Sequence, residues 1–287
     1  MSEQPQGNPT ARRMLVGARL RRLREAKGIS REDAGYTIRA SESKMSRLEL
    51  GRVAFKERDV SDLLMFYGVT DPEQRDQVLA EVREANRPRW WREYANVLPG
   101  WFDNYVGLEE SAAVIRTYEI QFVPGLLQTE DYARAVLASG LPPPTSQDLE
   151  RAVALRVARQ WVLTRPEPPR VWVVVDEAAL RRPIGDGETG GRQLKHLLEV
   201  AEMPNVALQV LPFRSGSHSP AGGAFSLLRF GEPELPDVVY IEQLVSALYL
   251  DRREYVDRYT EVMDRLSVES LTPRATTQFL RRLLSGD

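Results

Sequence analysis

Residues 28–51 read GISREDAGYTIRASESKMSRLELG, and two short helices can be drawn from this stretch by its punctuation alone. Gly28 stops whatever precedes it. Ser30 is a helix N-cap, and Asp33 three residues later gives a capping-box pattern with acidic charge at the positive end of the helix dipole. That helix can run only to about Ile38. After Arg39 and Ala40, Ser41 caps a second helix, SESKMSRLEL, which ends at Gly51. Met45 and Leu48, three apart, face inward. Glu42, Ser43, Lys44, Ser46 and Arg47 then share the exposed face and first turn. Two helices joined by a three- or four-residue turn, the second presenting small polar and basic side chains, have the geometry that enters a DNA major groove.

Working outward, the upstream segment MLVGARLRRLREAKG repeats Leu15, Val16, Ala18, Leu20, Leu23 and Ala26 at three- and four-residue steps, a helix with one apolar stripe and arginines opposite. Downstream, Lys56–Tyr67 places Val60, Leu63, Leu64 and Tyr67 on one face, and Pro72–Ala85 does the same with Val78, Leu79 and Val82. Five helices make an all-α domain over residues 13–86, behind a polar tail of residues 1–12. The formal net charge of −2 conceals an uneven distribution: residues 11–58 hold 14 Lys/Arg against 6 Asp/Glu, and the rest holds 25 against 35. A basic module on an acidic body suits a polyanionic partner.

The stretch 28–51 resembles the helix-turn-helix of lambda-repressor-like regulators of the XRE type. Ala34, Ile38, Ala40, Met45 and Leu48 are in register, Gly35 stands where the helices must touch, and Ser46, Arg47, Leu48, Glu49 and Gly51 form the family's S-R-L-E-x-G ending. Two positions depart from the pattern. Arg31 stands where glutamine is common, and Arg39 stands in the turn where glycine is common, so a side chain falls where a left-handed backbone is needed. Double-stranded DNA is the expected partner. Ser43 and Lys44 are the base-edge candidates, Lys44 as a donor to guanine O6 or N7, and Arg47 can reach a base or a phosphate. Arg31, Arg52 and the backbone N–H of Ser30 would position the duplex without reading it. Ser41 and Ser46 complete the surface. Glu42 either accepts from cytosine or steadies its own helix dipole, and Glu49 pairs with a basic residue of the first helix.

Residues 87–104, with prolines and three tryptophans, read as a linker that packs on the second domain, which spans 105–287. Its first half, to about residue 165, reads as helical, including YVGLEESAAVIRTYEIQF. From Pro169 onward VWVVV, VALQVLPF, AFSLLRF and DVVYIE read as strands of a four- to five-stranded mixed sheet, with a crossover helix around RQLKHLLEVAEM and two closing helices. The expectation is an α+β domain.

PGLLQTEDYARAV, LRVARQ, VVDEAALRRPIG, NVALQVLPF and GGAFSLLRF resemble the C-terminal antitoxin-like domain of unknown function found in a large actinobacterial family of helix-turn-helix regulators. The resemblance implies a regulator that binds a small acidic partner protein. An alternative is an antitoxin-like protein whose main task is sequestering that partner. Dimerisation is expected because one short recognition helix reads few base pairs. Asp176, Glu177, Arg192, His218 and Glu242, at strand ends and in a Gly-rich loop, are candidates for an effector or partner site. The plainer reading is that Asp176 and Glu177 cap the next helix and His218 sits in an ordinary turn. With no cysteine, two histidines and no phosphate loop or nucleophile elbow, neither a metal site nor a cofactor nor an enzymatic activity is expected, and an enzyme with an appended DNA module is the last of the alternatives. No apolar run is long enough for a membrane span and the N-terminus lacks signal-peptide order, so a cytoplasmic, nucleoid-associated protein is expected.

Overall fold

The computed structural model describes residues 9–140, 143–216 and 223–286. The chain forms two compact units. The first gathers the residues up to Arg92 with 104–111 and 231–235; the second gathers 93–103, 112–230 and 236 onward.

Helices α1 (Pro9–Ala26), α2 (Arg31–Thr37), α3 (Glu42–Glu49), α4 (Glu57–Phe66) and α5 (Pro72–Ala85) build the first unit. Helix α1 begins ahead of the expected residue 13. The core holds Val16, Leu20, Ala34, Met45, Leu48, Val60, Leu63, Leu64, Val78 and Val82, all buried, as their helical spacing requires. Each of α1 to α4 ends in a Schellman motif. Ile29 N–H donates to Arg24 O, Ala40 to Gly35 O, Arg52 to Arg47 O, and Val69 to Leu64 O. The residue before each of these donors has a left-handed backbone: Gly28 (φ 66°), Arg39 (φ 54°), Gly51 (φ 66°) and Gly68 (φ 77°). Among the described residues Arg39 is the one non-glycine with positive φ. The α2–α3 turn keeps the geometry of its three neighbours although its residue carries a Cβ.

A single carboxylate ties this arrangement together. Glu49, 1% exposed in its side chain, accepts from Arg24 Nε at 2.5 Å and Arg24 Nη2 at 3.1 Å, and from Arg31 Nε at 3.1 Å. Arg24 also donates through Nη1 to Ile29 O at 2.7 Å. The bond to Glu49 holds the Arg24 guanidinium above its ordinary range. So α1, α2, α3 and the α1–α2 loop meet at the Arg24–Glu49 pair. Gly17 lets α1 approach, because a Cβ there would lie 2.4 Å from Glu49 O. Gly35 does the same for α2 and the turn, with Ala40 O at 2.6 Å from a would-be Cβ.

The segment 87–104 is partly ordered. Residues Trp90–Tyr94 form a 3-10 turn. Trp91 is buried and stacks edge-on with Trp90, whose Nε1 donates to Glu110 Oε2 at 3.3 Å. Both rings belong to the first unit, not, as read from the sequence, to the second.

The second unit has helices and a six-stranded mixed sheet, two strands more than the four segments read as strands. Helix α6 (Phe102–Ser111), which from Asn104 belongs to the first unit, stops where a continuing helix was expected, and β1 (Val114–Glu119) of the second unit follows. The spacing of Tyr105, Leu108, Ala112 and Ile115 imitates a helical period across the junction, but Val114, Ile115, Thr117 and Tyr118 are strand formers that find partners on both sides. Next come α7 (Glu130–Ala138), α8 (Ser146–Arg159), β2 (Arg170–Asp176), α9 (Glu177–Arg181), α10 (Gly187–Val200), β3 (Val206–Leu211), β4 (Phe225–Arg229), β5 (Val238–Glu242), β6 (Ala247–Leu250), α11 (Arg253–Glu269) and α12 (Pro273–Ser285). The strand order is β3-β2-β1-β4-β5-β6. β1, β2 and β3 run parallel, and β4, β5 and β6 alternate, which leaves β5 running with β1. One face, through Tyr118, Val174, Leu211, Phe225 and Val239, is covered by Val256, Met263 and Leu266 of α11. Ile115, Thr117 and Glu119 share the opposite face with Val173, Ser226, Tyr240 and Glu242, as the register requires. At the end of the chain, Thr272 caps α12 ahead of Pro273.

Arg39→Gly should raise unfolding stability by up to about 1 kcal/mol, since it removes the Cβ from a left-handed position at a smaller cost in chain entropy. A higher urea midpoint with an unchanged slope is the expected reading. Glu49→Ala should lower stability by about 3 kcal/mol, because it strands the buried Arg24 guanidinium; the same denaturation series measures it.

Candidate nucleic-acid interface

Helix α3 is set by its ends. Ser41 Oγ accepts from Lys44 N–H at 3.2 Å at its start, and Gly51 closes its last turn. Met45, Leu48 and Glu49 face the core, so helical geometry turns Ser43 and Arg47 directly outward, with Lys44 and Ser46 on the flanks. Glu42, Ser43 and Arg47 are exposed; Lys44 and Ser46 are half-buried. Among the described residues, the side chains of Glu42, Ser43, Lys44, Ser46 and Arg47 make no hydrogen bond or ion pair, so α3 offers a polar face with two uncompensated cations.

The positioning candidates divide. Ser30 Oγ is occupied by its cap, accepting from Asp33 N–H at 3.0 Å and donating to Asp33 Oδ2 at 2.7 Å. Ser41 is occupied in the same way. Arg31, at 35% side-chain exposure, is held by Glu49 through Nε. Arg52 lies half-buried just past the end of α3.

The basic count of the sequence also divides. On α1, Arg12 pairs with Glu84 and Arg19 with Glu81 of α5, each at 2.9 Å, and Arg13 Nε donates to Ala85 O at 2.9 Å. Arg21 pairs with Glu25 at 2.8 Å, and Arg24 with Glu49. These five arginines build the domain. Among the described residues Arg22, Lys27, Arg39, Lys44, Arg47 and Lys56 make no ion pair, and three of them, Arg39, Lys44 and Arg47, lie on α3 or in the turn before it. Sequence reasoning weighed Arg39 only as a backbone problem, yet its exposed side chain sits in the turn leading into α3, and Tyr36 beside it is 87% exposed. Their signal in the sequence is their position just before α3.

In the second unit the candidates do not converge. Asp176 Oδ1 accepts from Ala178 N–H at 2.8 Å as the cap of α9. Glu177 is buried, pairing with Arg181 at 2.6 Å and accepting from Phe213 N–H at 2.8 Å. Arg192 bridges Asp131 at 3.0 Å and Glu188 at 2.9 Å on the surface. Glu242 accepts from Tyr240 Oη at 2.8 Å, on the sheet face opposite Asp176. His218 lies outside the described residues. Among the described residues no group of three His, Cys, Asp or Glu is arranged to hold a metal ion, and no helix is long and apolar enough to cross a membrane.

Comparison with known proteins agrees with this division. Residues 15–78 match a helix-turn-helix domain. Residues 102–282 match a domain of unknown function, DUF5753. No curated protein and no solved structure matches the chain. The first match makes the N-terminal unit a DNA-binding module. The second spans more than half of the chain, and the protein therefore belongs to the DUF5753 family, its members' domain here joined to an N-terminal helix-turn-helix.

Proposed function

We propose that the protein is a sequence-specific, double-stranded-DNA-binding transcriptional regulator whose helix α3 enters the major groove. The observation that carries the proposal is the outward face of α3: Ser43, Lys44 and Arg47 project without protein partners from a helix whose axis is fixed by the Arg24–Glu49 pair. Such preorganisation leaves the donors free for base edges. Around that face Arg39 and Arg52 are placed for phosphates, and Arg31, held by Glu49 through Nε, keeps its other guanidinium donors for the same role. The residues 28–51 favour a lambda-repressor-like regulator. The DUF5753 domain then serves dimerisation and reception of a signal or a small acidic partner protein. Two copies placing α3 about 34 Å apart would read a symmetric site. The protein acts by binding rather than by catalysis, a reading supported by the structural duties of Asp176 and Glu177 as cap and ion-pair partner.

The test uses duplexes selected from a random pool, scored against a scrambled duplex by fluorescence anisotropy across a salt series. Lys44→Ala should reduce the preference for the selected duplex about tenfold or more, the range expected of one lost base contact. Arg39→Gly should weaken both duplexes alike and reduce the salt slope by about one, the signature of a lost phosphate contact. Equal loss on both duplexes for Lys44→Ala would remove it from the reading set. Sedimentation equilibrium should show a dimer, and the selected sites should be palindromic; a monomer on asymmetric sites would refute the two-fold geometry.

A further inference from the structure

The sheet treats its two edges differently. β3 stands at one edge, and its outward backbone is closed by the chain itself: Val210 N–H donates to Thr276 Oγ1 of α12 at 3.1 Å, and Val210 O accepts from Leu271 N–H at 2.8 Å. β6 stands at the other edge. The hairpin that joins it to β5 closes through Gln243 N–H donating to Ser246 O at 2.9 Å, with Leu244 and Val245 between them. Hydrogen-bonded and non-hydrogen-bonded pairs alternate along an antiparallel ladder, and the register sets Ile241 opposite Leu248 and Glu242 opposite Ala247. Leu248 therefore turns its N–H and C=O inward to β5, and Ala247 turns both outward. Among the described residues no group bonds to the Ala247 backbone.

β6 also lacks the devices that keep an open edge from pairing. No charged residue and no proline occurs from Gln243 to Leu250, and the register with β5 runs without a bulge. Leu244 is 89% exposed, Val245 81% and Leu248 46%, so the hairpin and its outer strand present bare apolar side chains beside the open backbone. This charge-free edge belongs to a part of the chain where acids outnumber bases, 35 against 25 outside residues 11–58. An acidic protein would be drawn to cations, and the edge has none. A second copy of β6 brings no like charge and, run antiparallel, offers the same groups in return. Contact between identical patches about a two-fold axis closes after two copies, with no tendency to form a filament.

We propose that the β6 edge is the dimer interface of the protein: two copies pair their β6 strands antiparallel about a two-fold axis, and the two six-stranded sheets become one continuous sheet. The Ala247 N–H and C=O gain partners in the second copy, and Leu244, Val245 and Leu248 are taken out of water by it. Strand pairing sets the direction and register of the contact, and the apolar side chains supply its burial. The proposal rests on the reading that the DUF5753 domain dimerises, and assigns that role to one strand.

Sedimentation equilibrium of the full chain without DNA tests this. The wild-type chain should be a dimer. Leu248→Lys, which sets charge against charge across the axis, should raise the dimer dissociation constant about a hundredfold or more, the effect of like charges juxtaposed in an interface. Val268→Lys, at an 85% exposed position on α11, should leave it unchanged. Hydrogen exchange resolved to single amides by mass spectrometry gives a second measurement that needs no variant: the Ala247 amide should exchange about tenfold or more slowly at concentrations where dimer prevails than where monomer does. A folded Leu248→Lys chain that dimerises like the wild type would overturn the edge and leave the dimeric reading standing, whereas a wild-type monomer would overturn both. Equal exchange at Ala247 in monomer and dimer would also overturn the proposal, as would protection of Ala247 in a monomer by another protein, which would give the edge a different occupant.

Discussion

Everything in the N-terminal unit turns on one enclosed ion pair. Arg24 and Glu49 are taken almost wholly out of water, which is unfavourable for each alone and tolerable only because the guanidinium meets the carboxylate through two donors. An apolar pair could fill the same volume, but it would not fix direction. A bidentate fork fixes the angle of α3 to α1, and the extra bonds to Ile29 O and from Arg31 carry that angle into α2 and its entry loop. Gly17 makes the pair geometrically possible by letting two backbones come together where any side chain would hold them apart. This pair is where the sequence invests in holding α3 rigid against α1.

Charge in this domain follows a division of labour that a count cannot reveal. The arginine-rich α1 looks like the basic surface of a DNA-binding module, yet its charges face Glu81, Glu84 and the last carbonyl of α5. They work as cross-braces between the first and last helices. With those arginines engaged, the field towards a polyanion is smaller than the excess of basic residues suggests, and Arg39, Lys44 and Arg47 supply it on and just before α3.

Legibility followed the range of the interactions. The helices of the first unit were readable because their signals are local: Ser30 and Ser41 cap within three residues, and glycine terminates three helices where left-handed backbone is needed. Even the Glu49 partnership with α1 was readable, since a charged residue in an inward position demands a partner. β1 was not readable, because what makes 114–119 a strand is pairing with 170–175 and 225–229, segments far along the chain. β6 is four residues long and gives no pattern of its own. Asp176 and Glu242 could be placed at strand ends from the sequence, whereas Glu119 could not, because its strand reads as helix.

The placement of β1 also sets a timetable for making the protein. Its partners lie far apart in sequence: Tyr118 pairs with Val174 on one side and with Phe225 on the other. The apolar core of the five helices is drawn from residues 16–82 alone and can condense while the ribosome is still at work. The sheet cannot. β1 and the valine-rich β2 must emerge and wait for β4, and chain elongation at roughly 5–20 residues per second makes that a delay of seconds. During it, a flat apolar ribbon from Val171 to Val175 has an unpaired edge and no β3 or β4 to flank it, the situation in which nascent chains pair with one another. Yield of the folded protein should therefore depend on chaperone supply and synthesis temperature through the DUF5753 sheet, while the DNA-binding head folds regardless.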